Sequence, residues 1–197
     1  MVDRLPAPPE RAPARIRLVR EVVSLWRLHW EADALQLQHH PTGRYRFDAP
    51  AGEYPVLYGN KECLGAFAEV YGDTGLIDAA QGARLLSCVT ARCPLRLVPL
   101  DDPLVLRRLG LDMRVNVSKD YGVTQQWSLA FHRWRPDADG VRYLSRHAAQ
   151  HHNYCLFLDR CATDLSVNTL GAIQDLRRIV LFAADRYHLA VSLPRGQ

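Results

Sequence analysis

The sequence predicts an α+β fold on three observations. Pro55-Val56-Leu57-Tyr58 reads as a buried strand stopped by Gly59, after which Asn60 can cap a helix running from Lys61 to about Tyr71. Trp127, Phe131 and Trp134 recur at helical spacing within Thr124–Trp134, a segment that ends before Pro136. Short apolar runs at Leu85–Thr90 and Leu95–Leu100 read as strands. Strands and helices are therefore interspersed along one chain of 197 residues, a length that suits a single domain with a sizeable core.

Residues 1–15 are rich in Pro, Ala and Arg without periodicity and read as a flexible tail, so one domain over residues 16–197 is expected. Ile16–Trp26 carries a helical or mixed apolar pattern, and Leu25, Trp26, Leu28 and Trp30 around Arg27 form the first strand or the turn into it. Pro41-Thr42-Gly43 and Ala49-Pro50-Ala51-Gly52 are turn signals bracketing Arg44–Asp48, which reads as a loop or edge strand exposing its polar side chains. On the helix after Asn60, a rotation of 100° per residue puts Leu64, Phe67, Ala68 and Tyr71 on one face. Glu62, Gly65 and Glu69 fall on the other, so Glu69 is not required by the core.

Asp101–Leu111 reads as a turn leading into a short helix. Asp137-Ala138-Asp139-Gly140 is a strong turn, after which Val141, Tyr143 and Ser145 alternate with Arg142 and Leu144 as in a strand. Tyr154–Leu158 is a second apolar strand, and Ala172–Val191 is expected to close the fold with a strand and a helix.

Composition narrows the function classes. The 48% hydrophobic and 23% charged content is ordinary for a globular protein, and no apolar run approaches the ~18 residues a membrane span needs. Met1–Arg17 has no apolar core of a secretory signal, which sets the expectation of a cytoplasmic protein. Five cysteines, with no CxxC pair, suggest neither a disulfide framework nor a zinc ribbon. The net charge is +4, and because Lys61 and Lys119 are the only lysines, the basic side is carried by arginine, the better fork for phosphate. These arginines are interspersed with acids and form no basic block of the kind that tracks nucleic acid, so direct nucleic-acid contact is not expected.

The span Gly43–Glu69, taken with Arg27, places arginines, an aromatic at a strand end and a carboxylate close together in sequence. That set suits a ligand with a diphosphate and a cationic ring. Arg27 and Arg46 can hold a diphosphate bidentately, and Tyr58 can face a cationic ring for ~0.5–2 kcal/mol. Glu69 can stabilise an oxocarbenium-like ribose and orient or deprotonate a nucleophile, and the Ser145 hydroxyl can hold either that carboxylate or the ribose. Each has a plainer reading: a helix glutamate is usually solvated, an arginine a surface charge, and a strand-end tyrosine packing.

The pieces Trp26-Arg27, Gly43–Phe47, Val56–Gly59, Ala66–Asp73, Asp120–Phe131, Asp139–His147 and Asn153–Asp159 occur in an order and spacing that resembles the RES domain, over about residues 25 to 160. The resemblance implies an ADP-ribosyltransferase-like α+β fold, with central mixed or antiparallel sheets flanked by helices around an NAD cleft. It matches Arg27 and Arg46 to the family arginines, Glu69 to its glutamate, Ser145 to its serine and Tyr58 to its aromatic. The family often shows G-R-W-N where this chain has Gly43-Arg44-Tyr45-Arg46-Phe47-Asp48. Either Arg44 or Arg46 fits that position, and Arg46 is preferred because Arg46-Phe47-Asp48 mimics arginine, aromatic, small polar residue.

The implied function is an NAD+-degrading toxin of a type II toxin–antitoxin system, an NAD+ glycohydrolase or phosphorylase with water or phosphate as acceptor. NAD+ would be a substrate, with no cofactor required. The implied partner is an Xre-like helix-turn-helix antitoxin, which would make any DNA contact itself; homo-oligomerisation is left open. The alternatives are transfer of ADP-ribose to a protein and an inert binding domain that keeps the fold.

His147, His151 and His152 offer an H-x3-H-H spacing, but a solvated turn is favoured over a metal site. His39-His40 likewise reads as loop. Cys63 and Cys88 lie in apolar sequence without the marks of a nucleophile, so no metal site and no cysteine hydrolase is expected.

Overall fold

Tyr58 and its neighbour Leu57 divide the molecule, because alternate residues of one strand face opposite sides of a sheet. Leu57 packs with Leu25, Val89, Leu97 and Leu156 on one face, whereas Tyr58 lies against the cluster of Phe47, Trp127, Phe131 and Phe157 on the other. The computed structural model describes residues 5–13, 15–30, 34–35, 43–79, 84–148 and 150–192. In chain order these form β1 (Val19–Glu21), β2 (Ser24–His29), β3 (Val56–Asn60), α1 (Cys63–Tyr71), β4 (Leu76–Asp78), β5 (Leu85–Ala91), β6 (Leu95–Pro99) and α2 (Pro103–Leu109). There follow α3 (Arg114–Val117), α4 (Tyr121–Trp134), β7 (Gly140–Leu144), β8 (His152–Phe157), α5 (Leu158–Cys161), β9 (Leu165–Ala172), α6 (Arg177–Tyr187) and β10 (Ala190–Ser192).

The α+β class is as expected, with a mixed sheet flanked by helices. Eight strands run in the order β1-β6-β7-β8-β3-β2-β5-β9, with β6 and β7 parallel and the other neighbours antiparallel. A second sheet pairs β4 and β10 in parallel. Helix α4 covers the β7–β8–β3 side through Trp127 and Phe131, while α1 and α6 cover the β2–β5 side through Phe67, Val180 and Ala183.

Several elements differ from the sequence reading. Ile16–Trp26 contains no helix: β1 and the start of β2 occupy it, and β1 is held by antiparallel pairing with β6. Strand β3 continues through Gly59 to Asn60, where an added Cβ on Gly59 would lie 2.2 Å from Leu25 Cδ1. Helix α1 starts at Cys63, and the Asn60 side chain accepts the Glu62 N–H at 2.7 Å just before it. Within the segment read as a tail, Leu5 is buried and the Trp127 indole N–H donates to the Pro6 carbonyl at 2.7 Å, so these two residues pack on α4. Strand β9 has no counterpart among the sequence expectations before Ala172. Residues 39–42, with the His39-His40 and Pro41-Thr42 readings, lie outside the described residues.

Local chemistry accounts for the element ends. The Asp102 carboxylate caps α2 by accepting the Leu104 N–H at 2.8 Å, Pro103 opens the helix, and Gly110 closes it at φ 69°. The parallel partners β6 and β7 are joined by a crossover built from α2, α3 and α4. That crossover places α3 and α4 over the face that carries Tyr58.

Candidate active site

A cleft of about 620 Å³ opens on that face, within the ~300–1,000 Å³ typical of small-molecule sites. Its floor is Tyr58 and Asn60 on β3, Tyr143 on β7 and Asn153 on β8. One wall is α1 with Ala66 and Glu69, and the other is the 44–48 loop with Asn116 and Tyr121 behind it. Five arginines line it (Arg27, Arg44, Arg46, Arg84, Arg146) against three carboxylates (Asp48, Glu69, Asp73). The excess of cationic forks favours an anionic ligand.

The 44–48 loop is anchored, and its polar side chains are not all exposed as the sequence suggested. Asp48 Oδ2 accepts the Arg44 and Tyr45 N–H groups at 2.8 and 2.7 Å, and its Oδ1 accepts the Tyr58 hydroxyl at 2.9 Å. Helix α4 ties the loop from the other side: Gln125 Nε2 donates to the Gly43 and Tyr45 carbonyls, both at 2.8 Å, and Ser128 Oγ donates to the Phe47 carbonyl at 2.8 Å. Phe47 is buried edge-on against Tyr143, with ring centroids 4.8 Å apart. Between these anchors Arg46 is 8% exposed, donates to the Val115 carbonyl at 3.3 Å and stands over the Tyr121 ring, whereas Arg44 is exposed. Arg46 is thus the loop arginine built into the cleft.

Tyr58 presents its ring to the cleft and uses its hydroxyl structurally, donating to Asp48 and accepting the Phe47 N–H at 2.8 Å. Burial pushes its phenol well above the ordinary value, so it stays protonated. Tyr45 stands edge-on to it at 5.8 Å. Tyr143 is raised in the same way, by burial first and then by the charge of Glu69.

Glu69 is half-buried and lines the cleft, so the helix face it shares with Gly65 is turned to the cleft wall and not to bulk solvent. Gly65 lets this face sit close to the sheet: an added Cβ would lie 2.3 Å from Asn60 Oδ1. Ser145 follows β7, is 1% exposed and donates a hydrogen bond to Glu69 Oε1. Its oxygen accepts the His147 and Ala148 N–H groups at 3.1 and 2.9 Å, which fixes the hydroxyl. Ser145 therefore meets the carboxylate and does not itself line the cleft. Arg27 reaches the cleft from β2.

The structure thus gathers Arg27, Arg46, Tyr58 and Glu69 around one cleft, with Ser145 behind Glu69. Sequence reasoning missed Asn60 as a cleft residue, and also Tyr143, Asn153, Arg84 and Arg146. Arg84 lies over the Trp30 ring at 4.4 Å and the Tyr71 ring at 5.5 Å, and Arg146 is paired with Asp73. No local pattern marks these residues.

The three histidines of the H-x3-H-H run do not converge. His147 Nε2 accepts from Arg146 Nε at 3.0 Å, His151 meets Tyr187 at 3.3 Å, and His152 opens β8 against Asp101 at 3.2 Å. Among the described residues no three His, Cys, Asp or Glu side chains could hold a metal ion together. The cysteines are free, and burial pushes the Cys63 thiol up to about 11 and Cys161 to about 12, which leaves both unreactive at neutral pH.

The fold is similar to that in the crystal structure of the M. tuberculosis MbcT–MbcA toxin–antitoxin complex, with a TM-score of 0.61 at 16% identity over 82% of this chain and 92% of that chain. No curated protein sequence gives a significant match. The family model of the RES domain matches residues 24–178, which hold all five of the site residues anticipated from sequence, and by that match the chain belongs to the RES domain family.

Proposed function

We propose that this cleft binds NAD+ and cleaves its nicotinamide–ribose bond, with water or phosphate as acceptor, and that the protein acts as the toxin of a toxin–antitoxin pair. The observation that carries the reading is the Glu69 carboxylate, oriented by Ser145 and facing an arginine-lined cleft. In this reading Arg27 and Arg46 hold the diphosphate, which fixes the nicotinamide ribose beside Glu69. The Tyr58 ring faces the pyridinium, and its cation–π attraction fades as nicotinamide becomes neutral.

The chemistry asks little of an acid. The bond from ribose C1′ to the pyridinium nitrogen breaks with its electron pair leaving on nicotinamide, which departs neutral. Positive charge grows on C1′ and the ribose ring oxygen, and Glu69 stabilises it. Water or phosphate then bonds to C1′. Glu69 accepts the proton of an attacking water, giving ADP-ribose; phosphate gives the phosphorylated product.

The toxin role is supported by family membership and by the similarity of the fold to a protein crystallised as a toxin–antitoxin complex. The partner is proposed to be an Xre-like helix-turn-helix antitoxin that covers the cleft. The reading places the protein in the cytoplasm, where NAD+ is abundant, and five free cysteines suit a reducing compartment. Among the described residues no helix is long and apolar enough to cross a membrane. Incubation of the purified protein with NAD+, with and without phosphate, tests the reading through free nicotinamide and the mass of the ribose product.

A further inference from the structure

Asn153 is 2% exposed in the floor of the cleft and lies in direct register with Asn60 across the β3–β8 pair. Asn60 Nδ2 donates to Asn153 Oδ1 at 2.7 Å. The sense of that bond is set from outside the pair. The Glu62 N–H donates to Asn60 Oδ1 at 2.7 Å, so the Asn60 oxygen must face α1 and its nitrogen must face Asn153. Asn153 then turns its oxygen to Asn60, which leaves its Nδ2 buried and without a hydrogen-bond partner among the described residues. Buried amide donors are nearly always partnered, and an orphan in the floor of a ligand cleft is a place where a ligand supplies the acceptor.

The pair is also held rigidly. The backbone of α1 packs on the Asn60 amide at Gly65, where a Cβ would come within 2.3 Å of Oδ1. The donor at Asn153 therefore stands in place before any ligand arrives. Its chemistry differs from the rest of the site: an uncharged amide among five arginines is a poor competitor for phosphate and a good match for a neutral oxygen.

We propose that Asn153 Nδ2 recognises an uncharged acceptor oxygen of the bound nucleotide, either the nicotinamide carboxamide carbonyl or a ribose hydroxyl. This rests on the NAD+ reading of the cleft and adds to it a specificity-determining residue. The Asn60 amide, fixed by the Glu62 N–H, is the positioning group that orients the Asn153 donor.

The test is calorimetric titration of the purified chain, wild type and Asn153→Asp, with non-cleavable carba-NAD+, nicotinamide and ADP-ribose. The aspartate keeps an acceptor for Asn60 Nδ2 and replaces the unpartnered Nδ2 donor by an acceptor oxygen. At least tenfold weaker binding of carba-NAD+ by the variant is expected. A matching loss for nicotinamide identifies the carboxamide oxygen as the partner, and a matching loss for ADP-ribose identifies a ribose hydroxyl. Equal affinities of wild type and variant for all three ligands overturn the inference and leave the NAD+ reading standing. Absence of carba-NAD+ binding by folded wild type removes both. If Asn153→Asp does not fold, the Asn153 side-chain amide resonance of the wild type is followed by NMR on adding carba-NAD+. A shift of that resonance is expected, and its absence overturns the inference.

Discussion

Ser145 Oγ donates to Glu69 Oε1 while the same oxygen receives the N–H groups of His147 and Ala148. Those two amides use the lone pairs of the hydroxyl, so its one proton is directed to the carboxylate. Glu69 on α1 is held by a group that follows β7, and the carboxylate is aimed before substrate binds. Ser145→Ala removes that aim and leaves the arginines untouched. The expected result is a fall in kcat of about 10–10²-fold with KM changed less than threefold, in line with the loss of positioning of one catalytic group. Steady-state kinetics of nicotinamide release check the split.

The two loop arginines are predicted to differ. Arg46 is buried between the Val115 carbonyl and the Tyr121 ring, while Arg44 is exposed. Arg46→Lys keeps the charge and loses the planar fork, so KM for NAD+ should rise about tenfold or more. Arg44→Ala should change KM by less than about threefold. A larger effect at Arg44 would reverse the assignment.

Much of this was legible in the sequence, for a physical reason. Strands β3, β5, β6 and β7 and helix α4 carry their own punctuation: apolar runs, a stopping glycine, a turn such as Asp137–Gly140, and the Trp127–Phe131–Trp134 spacing. Strand β9 does not. It is an edge strand whose Ser166, Val167, Asn168, Thr169 and Leu170 are exposed, so neither alternation nor an apolar run signals it. Strand β1 has three residues and exists because β6 pairs with it. At the site, chemistry could be read from residue type, but burial could not. The anchors of the 44–48 loop come from Gln125 and Ser128 on a helix far along the chain, and Asn60 meets Asn153 across 93 residues. Contacts of that range leave no periodic mark.

Gly65→Ala gives a stability test with an unusual sign. In a helix interior this change ordinarily stabilises by about 0.5–1 kcal/mol. Here the new Cβ would fall 2.3 Å from Asn60 Oδ1, in an amide fixed by two hydrogen bonds. A loss of about 1–3 kcal/mol is expected, as for other overpacked sites, and thermal or urea denaturation measures it. A gain in stability would show that the Asn60 amide is not held as described.

Acid sensitivity follows from the network behind β7. Arg142 joins Asp101 and Glu21, His152 also meets Asp101, and Tyr154 donates to Glu21. Burial alone would raise the Asp101 carboxyl, but the hydrogen bonds from His152 and Arg142 outweigh it and hold it down at about 2. Glu21 is lowered in the same way, with burial opposed by Arg142 and Tyr154. A carboxyl depressed on folding contributes stability above its unfolded value, and that contribution is lost as pH falls through the folded value. The contribution of Asp101 should therefore fade between about pH 4 and about pH 2. Asp101→Asn should be less stable than wild type at neutral pH, with the gap narrowing across that window.

The catalytic role of Glu69 is tested by the release of nicotinamide from NAD+ by the purified protein and by Glu69→Gln. The substitution keeps the shape of the side chain and its hydrogen bond from Ser145 while removing the negative charge. Wild type is expected to release nicotinamide, and Glu69→Gln to do so about 10²–10⁴-fold more slowly, with the fold of the variant unchanged. Absence of release by correctly folded wild type, or undiminished release by Glu69→Gln, would contradict that role.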